Sequence, residues 1–541
     1  MGIKHFFYWW KTQFKVHIKN VNKHHKLKTD NNVNIDVLLL DLNGIFHKSA
    51  QKIFKYGSST ESKSLLTSNT NTVENNSTNR NLVYKDICDN IANLVDIVQP
   101  NKSVILCTDG PAPIGKQYQQ RQRRFRGTLE RNSDDFDSNC ITPGTIFMDE
   151  LSEYIHTFLI DKKRDNDDWK NLHLVFSDEK VPGEGEHKAI NYVKENGLEN
   201  DTFCINGPDA DLIMLALSTH KENFYILRDD MFGTNNDFFC IDIKQCKQKL
   251  LELLKWESSD FIFLEKNAIN DFIFICFLVG NDFLPHVPSI EIIEEGIEMM
   301  INIYTEVSKV KGHFTYFDSK NNVRINLDAF KSFMNIIGRF EEQNFAKKIN
   351  AKCFKDEMMQ RHLTSTFPTC SIDVKGYIND YNKEKFENET ETVCHKYIQG
   401  LQWVLTYYTS SVPSWNWYFP FQYAPMASEI YKYVDTYKQP RYGKTTPSLP
   451  FVQLLSVLPP RSSDLVAKPL DDILKNPSNS LKQYFPDEIK IDLSGKRKEW
   501  EGVTIVPMID VKKVKREYSK IEDQLSTFDK KRNRINDVII I

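Results

Sequence analysis

Three short apolar runs in this chain end at, or just before, an aspartate: Val37–Asp41, Ser103–Asp109 and Thr202–Asn206, the last followed by Asp209 and Asp211. A fourth run, Leu172–Ser177, precedes the Pro/Gly turn Val181-Pro-Gly-Glu-Gly-Glu-His-Lys188, which carries Glu184 and Glu186. Runs this short and this apolar read as strands buried on both faces, as in a parallel sheet. Helical stretches between them give the strand–helix alternation of an α/β sheet. Such sheets bind ligands at the carboxyl edge of their strands, which is where these acids fall.

At 541 residues the chain is long enough for a large core and more than one domain. Its formal charge of −3 carries no global basic signature, so any anion-binding surface has to be local. The 10 cysteines form no CxxC pair, which speaks against a zinc module and a disulfide framework. Phe6-Phe-Tyr-Trp-Trp10 is too short for a signal-peptide core, and Phe6 stands where a myristoylation signal needs Ser or Thr. With no apolar run of about 18 residues, no membrane span is expected.

Residues 1–30 read as an amphipathic helix with a basic tail, and residues 57–80, rich in Ser, Thr and Asn, as a flexible insert, with helix resuming near Val83–Val98. The expected organisation is a first block over 1–317, a polar, variable linker or helical connection over 318–390, an aromatic-rich second block over 391–510 and a charged tail over 511–541.

Seven acids form the first constellation: Asp41, Asp109, Glu184, Glu186, Asp209, Asp211 and Asp282, the last after the apolar, helical-looking run Phe272–Val279. Any one of them could be a helix cap or a turn residue. As a set at strand ends they would repel one another without cations, and oxygen ligands suit Mg²⁺ or Mn²⁺. Two such ions about 4 Å apart serve phosphoryl-transfer chemistry.

The second constellation follows Asp109. Lys116, Gln120, Arg123 and Arg124 recur at helical spacing, so they share one face and can present donors to a terminal phosphate. A solvated helix face is the commoner fate of such a run; adjacency to a strand end carrying an acid favours the pocket. Base-stacking candidates are His47, Trp500 and the aromatics of 403–420. Most of Trp403, Trp415, Trp417 and Tyr418 are expected in the core, and His187 at a helix start rather than on a metal.

Taken together, Leu40-Asp-Leu-Asn-Gly-Ile-Phe-His47, Gln119-Gln-Arg-Gln-Arg-Arg-Phe125, Phe136-Asp-Ser-Asn-Cys-Ile-Thr-Pro-Gly-Thr145, Pro182–Lys188, Asp209–Met214, Phe277–Pro285, Gly400–Leu405 and Val412-Pro-Ser-Trp415 resemble the XRN family of 5′→3′ exoribonucleases. The resemblance implies a PIN-like, 5′-nuclease-type α/β core, a mainly parallel sheet flanked by helices, with the second block packed around its active-site edge. It also implies a processive, Mg²⁺-dependent enzyme (two ions, Mn²⁺ as substitute) that degrades single-stranded RNA bearing a 5′-monophosphate and releases nucleoside 5′-monophosphates. The seven acids become the metal ligands or their support, Lys116 a catalytic aid at the scissile phosphate, and Lys116, Gln120, Arg123 and Arg124 the 5′-phosphate pocket. His47 and Trp500 become the pair that brackets stacked bases.

A decapping machinery is the implied upstream partner, a monomer the implied state, and the cytoplasm the implied compartment, with the nucleus as alternative. The chain departs from the family pattern at Lys4-His5, Ile114-Gly115 and Pro208, and ending at Ile541 it is expected to lack the additional small domains of cytoplasmic members. The competing readings are a flap-type 5′ DNA nuclease and a catalytically inactive RNA-binding scaffold.

Overall fold

The structure is a computed structural model that describes residues 3, 5–21, 26–27, 34–56, 73–130, 135–229, 238–350, 356–365, 371–496 and 498–541. Eight strands form its central sheet: β1 (Ile18–Val21), β2 (Val37–Asp41), β3 (Ser103–Cys107), β4 (His173–Ser177), β5 (Thr202–Asn206), β6 (Asn223–Asp229), β7 (Phe238–Asp242) and β8 (Ile539–Ile540). Their order is β1-β7-β6-β5-β2-β3-β4-β8. The five central strands β6, β5, β2, β3 and β4 run parallel; β1, β7 and β8 add antiparallel edges.

The central strands are apolar along their whole length because both faces are covered. Along β2, Val37 and Leu39 enter the core on one side, and Leu38 and Leu40 the core on the other. From β2 the chain winds outward through β3 and β4, then returns to place β5 on the opposite side of β2. The reversal leaves a crevice at the carboxyl ends of β2 and β5, the place where open α/β sheets bind ligands. Asp41 ends β2, and Asp209 follows β5 by three residues.

The helices of this half are α1 (Phe6–Gln13), α2 (Leu42–Phe54), α3 (Val73–Val98), α4 (Ile114–Glu130), α5 (Ile146–Asp165), α6 (Asp167–Lys170), α7 (Gly185–Asn196), α8 (Asp211–Ser218), α9 (Ile243–Leu254) and α10 (Glu265–Cys276). Their ends follow local chemistry. The Thr145 hydroxyl caps α5 by accepting from Met148 N, and Lys162, Lys163 and Arg164 complement the dipole at its other end.

Two expectations change. The N-terminal helix is only eight residues long, and Ile18–Val21 is instead an edge strand paired with β7, its Lys19 opposite Cys240. Residues 57–72 of the expected insert lie outside the described residues, whereas 73–80 begin α3, whose later turns bury Val83, Ile87, Ile91 and Val98. The connection over 318–390, expected as a variable linker or helical connection, is largely helical. Leu327–Arg339 buries Phe330, Phe333, Met334 and Ile337 at helical spacing in the same core that holds Trp403 and Tyr408.

The C-terminal segment is likewise part of the fold. Ile539–Ile540 pairs with β4, and the fully buried Arg532 guanidinium donates to the Gly144 carbonyl. The expected charged tail therefore covers an otherwise open sheet edge. No helix among the described residues is long and apolar enough to cross a membrane. The eight described cysteines are all buried free thiols.

Candidate active site

Two loops carry the first acids and are zipped together. Gly110 N donates to Gly183 O at 2.8 Å and Gly183 N to Pro111 O at 3.0 Å. A Cβ on Gly110 would sit 1.8 Å from Val181 O, so only glycine allows the loops this approach. Lys188 closes the turn from the other side, its Nζ donating to Asp178 O at 2.9 Å and Val181 O at 3.0 Å. Gly185 then starts α7 against the acids: its N donates to Asp109 Oδ1 at 2.8 Å, and a Cβ there would meet Asp41 Oδ1 at 2.7 Å. Asn43, in the first turn of α2, accepts from Asp109 N at 2.9 Å.

Lys116 stands on the first turn of α4 and pairs with both Glu184 and Asp282, the latter at 2.5 Å. Burial disfavours its ammonium, but the charges of Asp282, Glu184 and Glu186 hold it well above its ordinary pKa. Lys116 thus belongs with the acids, away from Arg123 and Arg124. Gln119 adds a longer contact to Asp282, at 3.4 Å.

Electrostatics join all seven acids into one group. Burial, then Asp109 and Asp209, push the Asp41 carboxyl well above its ordinary range. Burial, then Asp209 and Asp211, do the same to Glu186. Glu184 is pushed up to about 7, chiefly by burial with Lys116 opposing, and Asp211 to about 6 by burial, Asp282 and Asp209. Asp282 goes the other way: burial opposes its charge, yet Lys116 holds its carboxyl low.

A hard divalent cation fits this donor set. All seven groups are carboxylates, their mutual repulsion penalises ionisation, and Glu186 Oε2 is buried without a hydrogen-bond partner. Among the described residues the acids do not converge as a preformed three-ligand cage, and Lys116 supplies the positive charge between Glu184 and Asp282.

Beside the acids, His47, Arg123 and Arg124 line one cleft of about 390 Å³, together with Tyr56, Phe136 and Asn139. Arg124 is buried and its Nη1 has no hydrogen-bond partner. Burial, then Arg123, lower the Arg124 pKa to about 9. A buried cation with an unspent donor is costly in a folded protein and suits an anion that arrives with the substrate. Burial, then the two arginines, hold the His47 imidazole down to about 4, so the ring is neutral near pH 7.

Trp500 is half exposed, its ring centroid 6.3 Å from that of His5. Arg126 fixes this segment to α4, donating to Gly502 O at 2.8 Å and Glu499 O at 2.7 Å. Trp403 and Trp417 are buried and stacked on each other, as expected of core aromatics. The Ile114-Gly115 departure lies where α4 docks on the second block: Ile114 N and Gly115 N donate to the carbonyls of Trp415 and Trp417, at 2.9 and 3.1 Å. Pro208 packs on the first turn of α2, where a Cβ on Gly44 would approach its ring to 2.9 Å.

Sequence reasoning missed the groups that hold the acids. Tyr407 and Tyr408, at the end of the helix Thr390–Thr409, donate to Glu184 Oε1 at 2.9 Å and Asp211 Oδ2 at 3.0 Å. The backbone N of Ile3 donates to Asp211 Oδ1 at 3.0 Å. His187 lies between the two tyrosines, stacked on Tyr407 with centroids 3.8 Å apart and edge-on to Tyr408. Adjacent helical residues point about 100° apart, so no one-face pattern marks this pair; both reach acids because the acids lie on either side of His187.

Comparison with known proteins finds similar chains. The family described as "XRN 5'-3' exonuclease N-terminus" matches residues 1–230, and that described as "Xrn1 helical domain" matches 263–369 and 369–541. The chain is 28% identical to the 5'-3' exoribonuclease 2 homolog of Drosophila melanogaster, over 99% of this chain and 73% of that protein. It is 26% identical to 5'-3' exoribonuclease 2 of Gallus gallus, over 94% of this chain and 68% of that protein. It is 27% identical to human 5'-3' exoribonuclease 1, over 100% of this chain and 35% of that longer protein.

Proposed function

The chain belongs to the XRN family of 5′-3′ exoribonucleases, hydrolases of RNA, and from that premise we propose a metal-dependent, processive enzyme that takes single-stranded RNA by a 5′-monophosphate end and releases nucleoside 5′-monophosphates. The observation that carries the end preference is Arg124: a buried guanidinium with an unspent donor, in the cleft that also holds Arg123 and His47.

Asp41, Asp109, Glu184, Glu186, Asp209, Asp211 and Asp282 would hold Mg²⁺, or Mn²⁺ in its place, and two such ions supply an activated water and neutralise the leaving oxygen. The rest of the work falls to the chain's own groups. Lys116, fixed between Glu184 and Asp282, presents its ammonium to the scissile phosphate. Tyr407 and Tyr408 fix the rotamers of Glu184 and Asp211, so these carboxylates do not reorganise during the reaction.

Gln120, Arg123 and Arg124 hold the terminal phosphate, which sets the scissile bond one nucleotide from the end. A cap or a triphosphate adds bulk and charge at that point, so a decapping or pyrophosphate-removing activity supplies the substrate. The neutral His47 ring stacks on the first base, and the exposed Trp500 ring on bases that follow. Stacking accepts any base but requires it to be unpaired.

The test is an end-group assay with Mg²⁺ on 5′-monophosphate, 5′-hydroxyl, capped and circular forms of one RNA. Only the first should be degraded quickly; turnover of circles, or indifference to the 5′ group, overturns the reading. Equal turnover of single-stranded DNA would favour the flap-type DNA nuclease, and no turnover of any form the inactive scaffold.

A further inference from the structure

Within electrostatic reach of Asp209 and Asp211 lies a second cationic feature. β6 alternates as a two-faced strand: Phe224 and Ile226 enter one core, Leu227 the other. Arg228 therefore points to the α1 side of the sheet, and Asp229 to the α2 side, where it accepts from Lys48 Nζ at 3.2 Å. The Arg228 guanidinium lies on the Phe7 ring, 4.1 Å from its centroid. Phe7 in turn packs on Phe239, with centroids 6.2 Å apart, and Lys11 Nζ lies 3.9 Å from the Phe239 centroid. Phe7 and Lys11 are one helical turn apart on α1, so both cations are carried by the same aromatic pair.

Neither cation is spent within the fold. Among the described residues, the Arg228 and Lys11 side chains make no hydrogen bond and no ion pair; their contacts are the two ring faces. Arg228 is half buried, and the charges within reach of it are Asp209, Asp229 and Asp211. An arginine held over an aromatic ring, with no hydrogen bond of its own, keeps N–H donors free, and a guanidinium's donors match two phosphate oxygens. The arrangement joins cations and aromatics, as surfaces that track single strands do. It starts beside the acids and leads away from them along α1, with the Ile3 amide bound to Asp211 at its inner end.

We propose that Arg228 and then Lys11 bind successive backbone phosphates of the RNA, on the 3′ side of the cleaved bond. The inference rests on the exoribonuclease reading and extends it: Arg123 and Arg124 hold the terminal phosphate, Lys116 faces the scissile one, and Arg228 and Lys11 receive the phosphates behind them. A strand gripped behind the bond as well as at its end keeps its place when the released nucleotide leaves, which is what processive degradation requires.

The experiment measures binding of 5′-monophosphate RNAs carrying one neutral methylphosphonate at each internal position in turn, by anisotropy in EDTA. Wild-type protein, Arg228→Gln, Arg228→Lys and Lys11→Gln are compared. Wild type should lose about tenfold in affinity at each of the two phosphates bound by Arg228 and Lys11, through loss of a charge-assisted contact, and Arg228→Gln should no longer sense the first of them. Lys11→Gln should become insensitive at a position farther from the 5′ end. The salt slope of RNA binding should fall by about 0.7 for each cation removed, and Arg228→Lys should restore it.

If Arg228→Gln and Lys11→Gln keep the wild-type methylphosphonate profile and salt slope, the proposal is overturned; reduced cleavage alone would then mean that Arg228 only compensates Asp209 and Asp211. Wild-type protein that ignores the 5′ end group would overturn the functional reading, a result separable from the binding profile.

Discussion

Tyr407 Oη donates to Glu184 Oε1 at 2.9 Å, across 223 residues of sequence. The contact joins the second block to the turn that supplies two of the acids, and the same ring stacks on His187. Tyr407→Phe should keep the stack and lose the donor. Groups that orient ligating carboxylates are worth about 10- to 100-fold in activity, so kcat should fall by that order while RNA affinity stays the same. Single-turnover cleavage beside a binding titration checks it; an unchanged kcat would remove Tyr407 from the site.

Asp209→Ala combined with Asp211→Ala removes two carboxylates from the buried group. Cleavage should be lost and 5′-monophosphate RNA should still bind, because Arg123, Arg124 and His47 line a separate cleft. Residual divalent-dependent turnover above about a thousandth of wild type, roughly 4 kcal/mol of transition-state stabilisation, would exclude the pair from catalysis. Chelation of divalent ions should silence the wild type in the same assay.

Arg124 separates function from stability. Its burial, only partly offset by the charges of Asp109 and Asp137, leaves Nη1 without a hydrogen-bond partner. Arg124→Met should therefore leave Tm unchanged or raised, while the preference for 5′-monophosphate over 5′-hydroxyl RNA falls about tenfold or more. Thermal melting and competition between the two RNAs report the two halves; a drop in Tm with the preference intact would refute both.

Arg121, three residues earlier on the same helix, should behave in the opposite way. It is buried, and its guanidinium donates to Ser456 O at 2.9 Å, Pro507 O at 3.3 Å and Tyr484 O, pinning α4 to the second block. Arg121→Ala strands three carbonyls and should cost roughly 2–5 kcal/mol in urea unfolding, with the end preference of the folded fraction unchanged.

His47 predicts a pH dependence. Its folded pKa of about 4 lies below the ordinary 6.5, because burial and the two arginines disfavour the imidazolium. Between these values the unfolded chain takes up a proton that the folded one refuses, so this contribution is complete above pH 6.5 and is lost as pH falls toward 4. The stability of wild type minus that of His47→Phe should decline over that window. A flat difference would show the imidazole to be solvated.

Much of this was legible in the chain. Val37–Asp41 and Thr202–Asn206 read as buried strands because unbroken apolar runs of that length have few other uses, and the structure places them side by side. Asp41 and Asp209 were legible for the same reason: an acid straight after a buried strand lies at the sheet edge. The helical face of Lys116, Gln120, Arg123 and Arg124 followed from spacing, but spacing alone did not divide it. Lys116 turns to Glu184 and Asp282 because it stands on the first turn of α4, nearest the strand ends, while Arg123 and Arg124, two turns on, reach the cleft of His47.

Local pattern fixes what a residue's own neighbours decide: periodicity, caps, and the acids that a strand end carries to the sheet edge. What it could not decide depends on chain returning from far away. Ile539–Ile540 is a strand only because β4 offers a free edge, and the helix Leu327–Arg339 is buried only because the core of the second block covers it. Tyr407 and Tyr408 are polar partners only because α7 and α8 lie beneath them. Sequence by itself brought the acids and the basic helix face forward as candidates. The tertiary structure decided which are held, which are paired and which, like Arg124 and Arg228, keep their donors unspent, since pairing depends on distances between segments hundreds of residues apart.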